Sequence, residues 1–220
     1  MTLTSRVRRP LPLAIALGPL LPAARAAEPG PVDMLPVPAG TFSMGADGVG
    51  EADEQPAHAA RVNGFWLDRS EVTNARYLEC VQAGKCEPFR DDVARRFGAG
   101  PEAGFRADDQ PVVGVSFLDA SQYCAFPGKR LPREAERERA ARGDNRTFAR
   151  GNGKPTPELA CYGRKPGAKG ATTSPVGSHP AGAGPYGHLD LTGNVWEWTA
   201  DLYVRLPSPR RARRRSRQLQ

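Results

Sequence analysis

Within ten residues, from Leu189 to Trp198, the chain has to turn on Gly193-Asn194 and then place two indoles with a carboxylate between them. A Trp-Glu-Trp triplet in a strand sends both rings to one face and Glu197 to the other, because strand side chains alternate. Gly193-Asn194 permits a tight turn that exposes backbone oxygens. Asp190, just upstream, adds a second carboxylate. Two carboxylates and several carbonyls in one short loop make an all-oxygen set of the kind a hard cation such as calcium takes. The same residues also suit a plain turn that buries two indoles and leaves Asp190 and Glu197 solvated or hydrogen-bonded. The spacing alone favours the plainer reading.

The two ends of the chain distort its composition. Residues 1–26 combine a basic start (Arg6, Arg8, Arg9), an apolar run from Leu11 to Ala24 broken by prolines, and a small-x-small site at Ala24-Arg25-Ala26. This is the pattern of a secretory signal peptide, too short and too broken to span a bilayer. Residues 205–220 form an Arg-rich tail expected to be disordered. The formal charge of +7 comes from these ends: eleven of the 31 basic residues lie there, with no acid. Residues 27–204 hold 20 basic against 24 acidic side chains, a net charge of −4. The expected protein is exported, periplasmic or secreted, with no membrane span and no affinity for nucleic acid.

Residues 27–33 read as an extended lead-in, and residues 34–204 suffice for one domain with its own core. Gly and Pro together supply 46 residues of the chain, which implies short elements joined by many turns. Strand-like patterning runs from Met34 to Met44 and from Arg61 to Leu67. Thr73 is placed to cap a helix through Tyr77 to Val81, stopped by Gly84. Ser116 and Asp119 form a capping box for a second helix through Tyr123 to Phe126. A third helix is expected from Pro132 to Arg142, with Gly143 as its stop. Its charges, Glu134, Glu136, Arg137, Glu138, Arg139 and Arg142, leave only alanines for a buried face. The pairs Glu138–Arg142 and Glu134–Arg137 have helical spacing for weak ion pairs.

Five segments occur in a telling order: Pro38 to Gly45, Phe65 to Asn74, Gln110 to Phe117, Gly128 to Glu136, and Gly193 to Trp198. Together they resemble the formylglycine-generating enzyme family, also called sulfatase-modifying factors. The resemblance implies a fold class, a single irregular, loop-rich α+β domain akin to C-type lectins. It also implies an activity, oxidation of a sulfatase cysteine to formylglycine with copper and oxygen, on an exported protein substrate. The family's loop binds a structural calcium. Carried over to this chain, the ligands are Asp190 and Glu197 through side chains and Gly193 and Val195 through backbone oxygens. The resemblance thus reverses the preference for a plain turn. A second family calcium loop falls near Ala160 to Tyr162, where Cys161 stands at the expected amide's position, and no site is assigned there.

The chain also departs from the family. Family members continue past the Trp-Glu-Trp motif into an Arg-Gly-Gly-Ser-Trp element, a redox-active cysteine pair and a closing strand. Here the pattern ends after Asp201-Leu-Tyr203, and the Arg/Pro/Ser run resembles a truncated or frame-shifted gene. None of the cysteines (80, 86, 124, 161) falls where the catalytic pair belongs, so no catalytic residue is assigned and the chain as written is expected to be inactive. The alternatives are a non-catalytic, calcium-stabilised lectin-like module of the cell envelope, binding a protein or a glycan, or a gene fragment. In the third helix the family has Thr at Arg133 and aromatics at Arg137 and Arg139, and replacing a buried aromatic costs about 3–5 kcal/mol.

Cys80 and Cys86, close in sequence around Gly84, suit a disulfide in an oxidising compartment, with two buried thiols as the alternative. The family pairs the cysteine at position 124 with one in the closing strand; a Cys124–Cys161 link is left open. His58, His179 and His188 have no zinc-binding spacing, which disfavours the iron-dependent sulfoxide-synthase branch. Asn145-Arg146-Thr147 fits a glycosylation sequon.

Overall fold

Pro38 has no N–H to give to a sheet ladder, and the long stretch that begins at Met34 splits there into two strands. In the computed structural model, which describes residues 33–48, 54–88, 90, 105–163 and 173–203, these are β1 (Met34–Val37) and β2 (Gly40–Met44). The returning arm is broken opposite, at Asn63-Gly64, into β3 (His58–Val62) and β4 (Phe65–Asp68). β1 pairs antiparallel with β4, from Met34↔Asp68 to Val37↔Phe65. β2 pairs with β3, from Gly40↔Val62 to Met44↔His58. The register is the same in both ribbons, so they are two lengths of one hairpin. The sequence pattern merged each arm into a single strand because alternation continues across the break. Residues 1–32 and 204–220, which include the expected signal peptide and tail, lie outside the described residues.

Three helices follow, α1 (Asn74–Gln82), α2 (Phe117–Ala125) and α3 (Glu134–Arg142). Thr73 caps α1 by accepting the Arg76 N–H at 3.3 Å. Ser116 and Asp119 form the expected reciprocal box on α2. Cys80, on the buried face of α1, is joined to Cys86 across a Cα separation of 5.3 Å. Around this disulfide lie Tyr77, stacked at 5.8 Å on Tyr123 of α2, and Val112 and Val115. Cys124 and Cys161 are both thiols.

α3 packs on β2 and β3. Its buried face does carry Ala140 and Ala141, but Arg139, only 5% exposed, joins them. The Arg139 guanidinium lies between the rings of Phe42 and Tyr186, 5.8 and 5.9 Å from their centroids, and pairs with Asp144. Gly40 makes the room: a Cβ there would stand 2.6 Å from Arg139 Nη2. Further along the helix, Glu138 accepts the Gly45 N–H at 2.8 Å and pairs with Arg142, which donates to the Gly45 carbonyl at 2.9 Å. Cation–π stacking and paired charges thus stand where lost aromatic packing was expected. The expected helical start at Pro132 moves to Glu134, because Arg133 stays extended with ψ 158°. The Glu136 carboxylate takes the Arg133 N–H and both arms of Arg130, each at 2.7 Å, and the Arg130 contact holds its carboxyl below the usual range.

Candidate metal loop and adjoining cavity

The segment 190–198 forms no strand. It bends instead, because Asp190, Gly193 and Asn194 all take left-handed backbone angles, with φ of 56°, 95° and 57°. At position 193 only glycine fits, since a Cβ would lie 2.4 Å from the Cys161 carbonyl oxygen. The next N–H, that of Asn194, donates to the same oxygen at 2.8 Å. The strand geometry expected for Trp-Glu-Trp is therefore replaced by an open bend. Its indoles are not buried: Trp196 is fully exposed and Trp198 half exposed.

Asn194 ties the bend to two distant segments. Its side chain donates to Glu71 at 2.6 Å and to the Ser174 carbonyl at 3.2 Å, and accepts the Ser174 N–H at 2.9 Å. The Val195 N–H reaches the other Glu71 oxygen at 3.3 Å. Glu71 is 9% exposed. Burial pushes its carboxyl up to about 8, with the charges of Glu197 and Asp190 adding to the push and the Asn194 and Val195 hydrogen bonds opposing it. Sequence reading missed this residue. It stands inside one of the family-like segments, yet nothing in its spacing announces a partner 123 positions away.

The two carboxylates named from sequence are both close to this centre. Asp190 is buried and accepts the Gly177 N–H at 2.6 Å; burial, and more weakly Glu197, raise its carboxyl. Glu197 pairs with Arg137 of α3 at 2.8 Å. That contact displaces the Glu134–Arg137 helical pair expected from spacing. Glu71, Asp190 and Glu197 thus lie within electrostatic reach of one another, and the charges of Asp190 and Glu197 help keep the Glu71 carboxyl protonated. With oxygen donors throughout, this acid-crowded bend fits a hard cation in its chemistry. Among the described residues no three His, Cys, Asp or Glu side chains gather as a ligand cluster. The expected set needs only two such side chains, supplemented by two carbonyls.

Beside the bend opens a cavity of ≈ 720 Å³, walled by Trp66, Trp196, Trp198, Tyr123, Cys124 and Lys129 among others. Lys129 pairs with Asp68 at 2.5 Å, and the Trp198 indole N–H donates to the Val115 carbonyl at 3.0 Å. Burial pushes the Cys124 thiol up to about 11, with Asp68 adding and Lys129 opposing. It is therefore a protonated thiol at neutral pH, not a prepared nucleophile. Copper takes soft thiolate ligands. The cysteines here comprise one disulfide, this protonated thiol, and Cys161 packed beneath Gly193. Cys124 lines the cavity and Cys161 does not, and neither belongs to a cluster of three His, Cys, Asp or Glu among the described residues, so the set offers copper no paired thiols. The histidines do not converge either: His188 is wholly buried, His58 is exposed at the start of β3, and His179 contacts Ser174 at 3.3 Å.

Fold and site together define a small, turn-rich α+β domain with an acid-crowded bend at the rim of an aromatic cavity. The chain belongs to the sulfatase-modifying factor enzyme 1-like domain family (FGE-sulfatase), which it matches over residues 21–218. It is 34% identical over 196 residues to the hercynine oxygenase of Mycolicibacterium smegmatis, covering 74% of this chain and 44% of that protein. It is 34% identical over 218 residues to the formylglycine-generating enzyme of Mus musculus, covering 78% of this chain and 58% of that one. The chain spans about half the length of these relatives. Its structure is similar to the crystal structure of CarF, with a TM-score of 0.52 and 21% identity over 79% of this chain and 82% of that one, a likeness of fold. No helix among the described residues is long and apolar enough to cross a membrane.

Proposed function

We propose that this chain is an exported member of the formylglycine-generating enzyme family that holds calcium in the 190–197 bend and does not itself oxidise a sulfatase cysteine. The observation that carries the second half is the state of its cysteines. Cys80 and Cys86 are joined to each other, and of the two remaining thiols only Cys124 lines the cavity. Copper takes soft sulfur ligands, and a pair of facing thiols for it is missing among the described residues. The bend supports the calcium half through its oxygen donors and crowded acids; Asp190 and Glu197 would ligate through carboxylates, and Gly193 and Val195 through backbone oxygens. Bound calcium would supply structural charge neutralisation and no redox chemistry. The test is incubation of this chain with a Cys-x-Pro-x-Arg peptide, copper and oxygen, followed by mass spectrometry. The peptide is expected to return unchanged, and formylglycine in it would overturn the reading.

The cavity favours a second reading, a calcium-stabilised, lectin-like binding module of the cell envelope. Its wall carries three indoles, the kind of surface on which sugar faces and peptide side chains stack. Capture of a glycan on an array in calcium, lost in chelator, is the outcome this reading requires.

A further inference from the structure

We propose that Arg137 is a built-in competitor for the cation of the 190–197 bend, so that its guanidinium and a calcium ion hold Glu197 in alternation. The inference rests on the calcium reading above. Arg137 reaches Glu197 from α3 through a single Nη2–Oε1 contact at 2.8 Å across 60 positions of sequence. Both side chains are largely withdrawn from water, with 21% and 27% exposure, so the pair is screened less than a surface ion pair. Calcium held by both Glu197 oxygens, the bidentate mode open to a glutamate, takes the oxygen that Arg137 occupies. Two cations drawn to one carboxylate also repel each other, so each weakens the other's hold.

Three features make the contact exchangeable. It is single-pointed, not the two-pronged fork that makes arginine–carboxylate pairs strong. The Arg137 Nε is buried with no hydrogen-bond partner, so the guanidinium is incompletely satisfied where it lies. A second seat is also within reach: Glu134, exposed one turn back on the same helix at i−3, already attracts Arg137. Departure from Glu197 thus need not strand the guanidinium. In either state a positive charge faces Glu197, which lets the bend keep its shape with calcium or without it.

The test is calorimetric titration of calcium chloride into the chelator-treated full chain, with wild type, Arg137→Gln, Arg137→Met and Arg137→Lys. Removing the competing charge is expected to tighten calcium binding at least about tenfold in the Gln and Met variants, a change equal to about 1.4 kcal/mol. The Lys variant, which keeps the charge, should stay near the wild type. Equal affinities in wild type and Arg137→Gln would overturn the competition and leave the calcium reading standing. A Lys variant as tight as the Gln variant would overturn it too, because charge would not be the cause. Absence of binding in every variant would sink the calcium reading and this inference with it. The Met variant keeps the apolar stem should the Gln variant fail to fold. Nitrogen NMR of the wild type needs no substitution: the Arg137 Nε resonance should shift at calcium saturation, and an unmoved resonance would overturn the exchange.

Discussion

Glu71 is the residue on which the bend closes, and its proton sets a pH dependence. In the folded chain its carboxyl titrates near 8, while an unfolded chain's glutamate ionises near 4.5. Between those values the folded state holds a proton that the unfolded state has lost. Stability from this group is fully present below 4.5, falls as pH rises through the window, and levels off above 8. Glu71→Gln cannot ionise, so its unfolding free energy should be flatter across pH 5–8, whereas the wild type should decline by up to about 1.4 kcal/mol per pH unit at its steepest. Urea unfolding in chelator at three pH values checks this; parallel declines would contradict it. At this scale, what could be read from sequence was what is local. Cys80 and Cys86 are six residues apart and could be paired by inspection. Glu71 could not be joined to Asn194 the same way, because chain spacing carries no signal for a hydrogen bond between distant segments.

Among the elements, α3 shows the same divide. The caps of α1 and α2 come from Thr73 and Ser116, the residues that immediately precede those helices, and were legible for that reason. The first turn of α3 is served from afar: Asp201 accepts the Glu134 N–H at 2.7 Å, and the Ala200 N–H donates to the Pro132 carbonyl at 2.8 Å. A carboxylate at a helix N-terminus both satisfies an orphan N–H and opposes the helix dipole. Asp201→Ala should therefore cost about 1 kcal/mol of stability. Denaturant midpoints measure it, and an unchanged midpoint would mean the contact contributes nothing in solution. The strand breaks at Pro38 and Asn63-Gly64 escaped the pattern because alternation reports which face a side chain takes, not whether a ladder is continuous. The fate of Arg139 escaped it too, since only the assembled hairpin places Gly40, Phe42 and Tyr186 around one guanidinium.

For the molecule as a whole, the family and a small mixed helix-and-strand fold were readable because five segments kept their order over most of the domain. The cavity was not, because its walls come from segments as far apart as Trp66 and Trp198. The Cys80–Cys86 link closes a short loop, and its removal in Cys80→Ser/Cys86→Ser should lower stability by about 2 kcal/mol, mostly by freeing the unfolded chain. Peptide mapping without reductant should recover the two peptides joined, and free alkylation of both would contradict the link. The three tryptophans, meanwhile, all stand around one cavity, and none belongs to the buried core. Indole emission from this protein is thus an optical gauge of that cavity. Its light should be red-shifted and open to collisional quenching by iodide while the cavity holds only water. Anything that settles there should turn the emission bluer and shield it, with no change in the packing underneath.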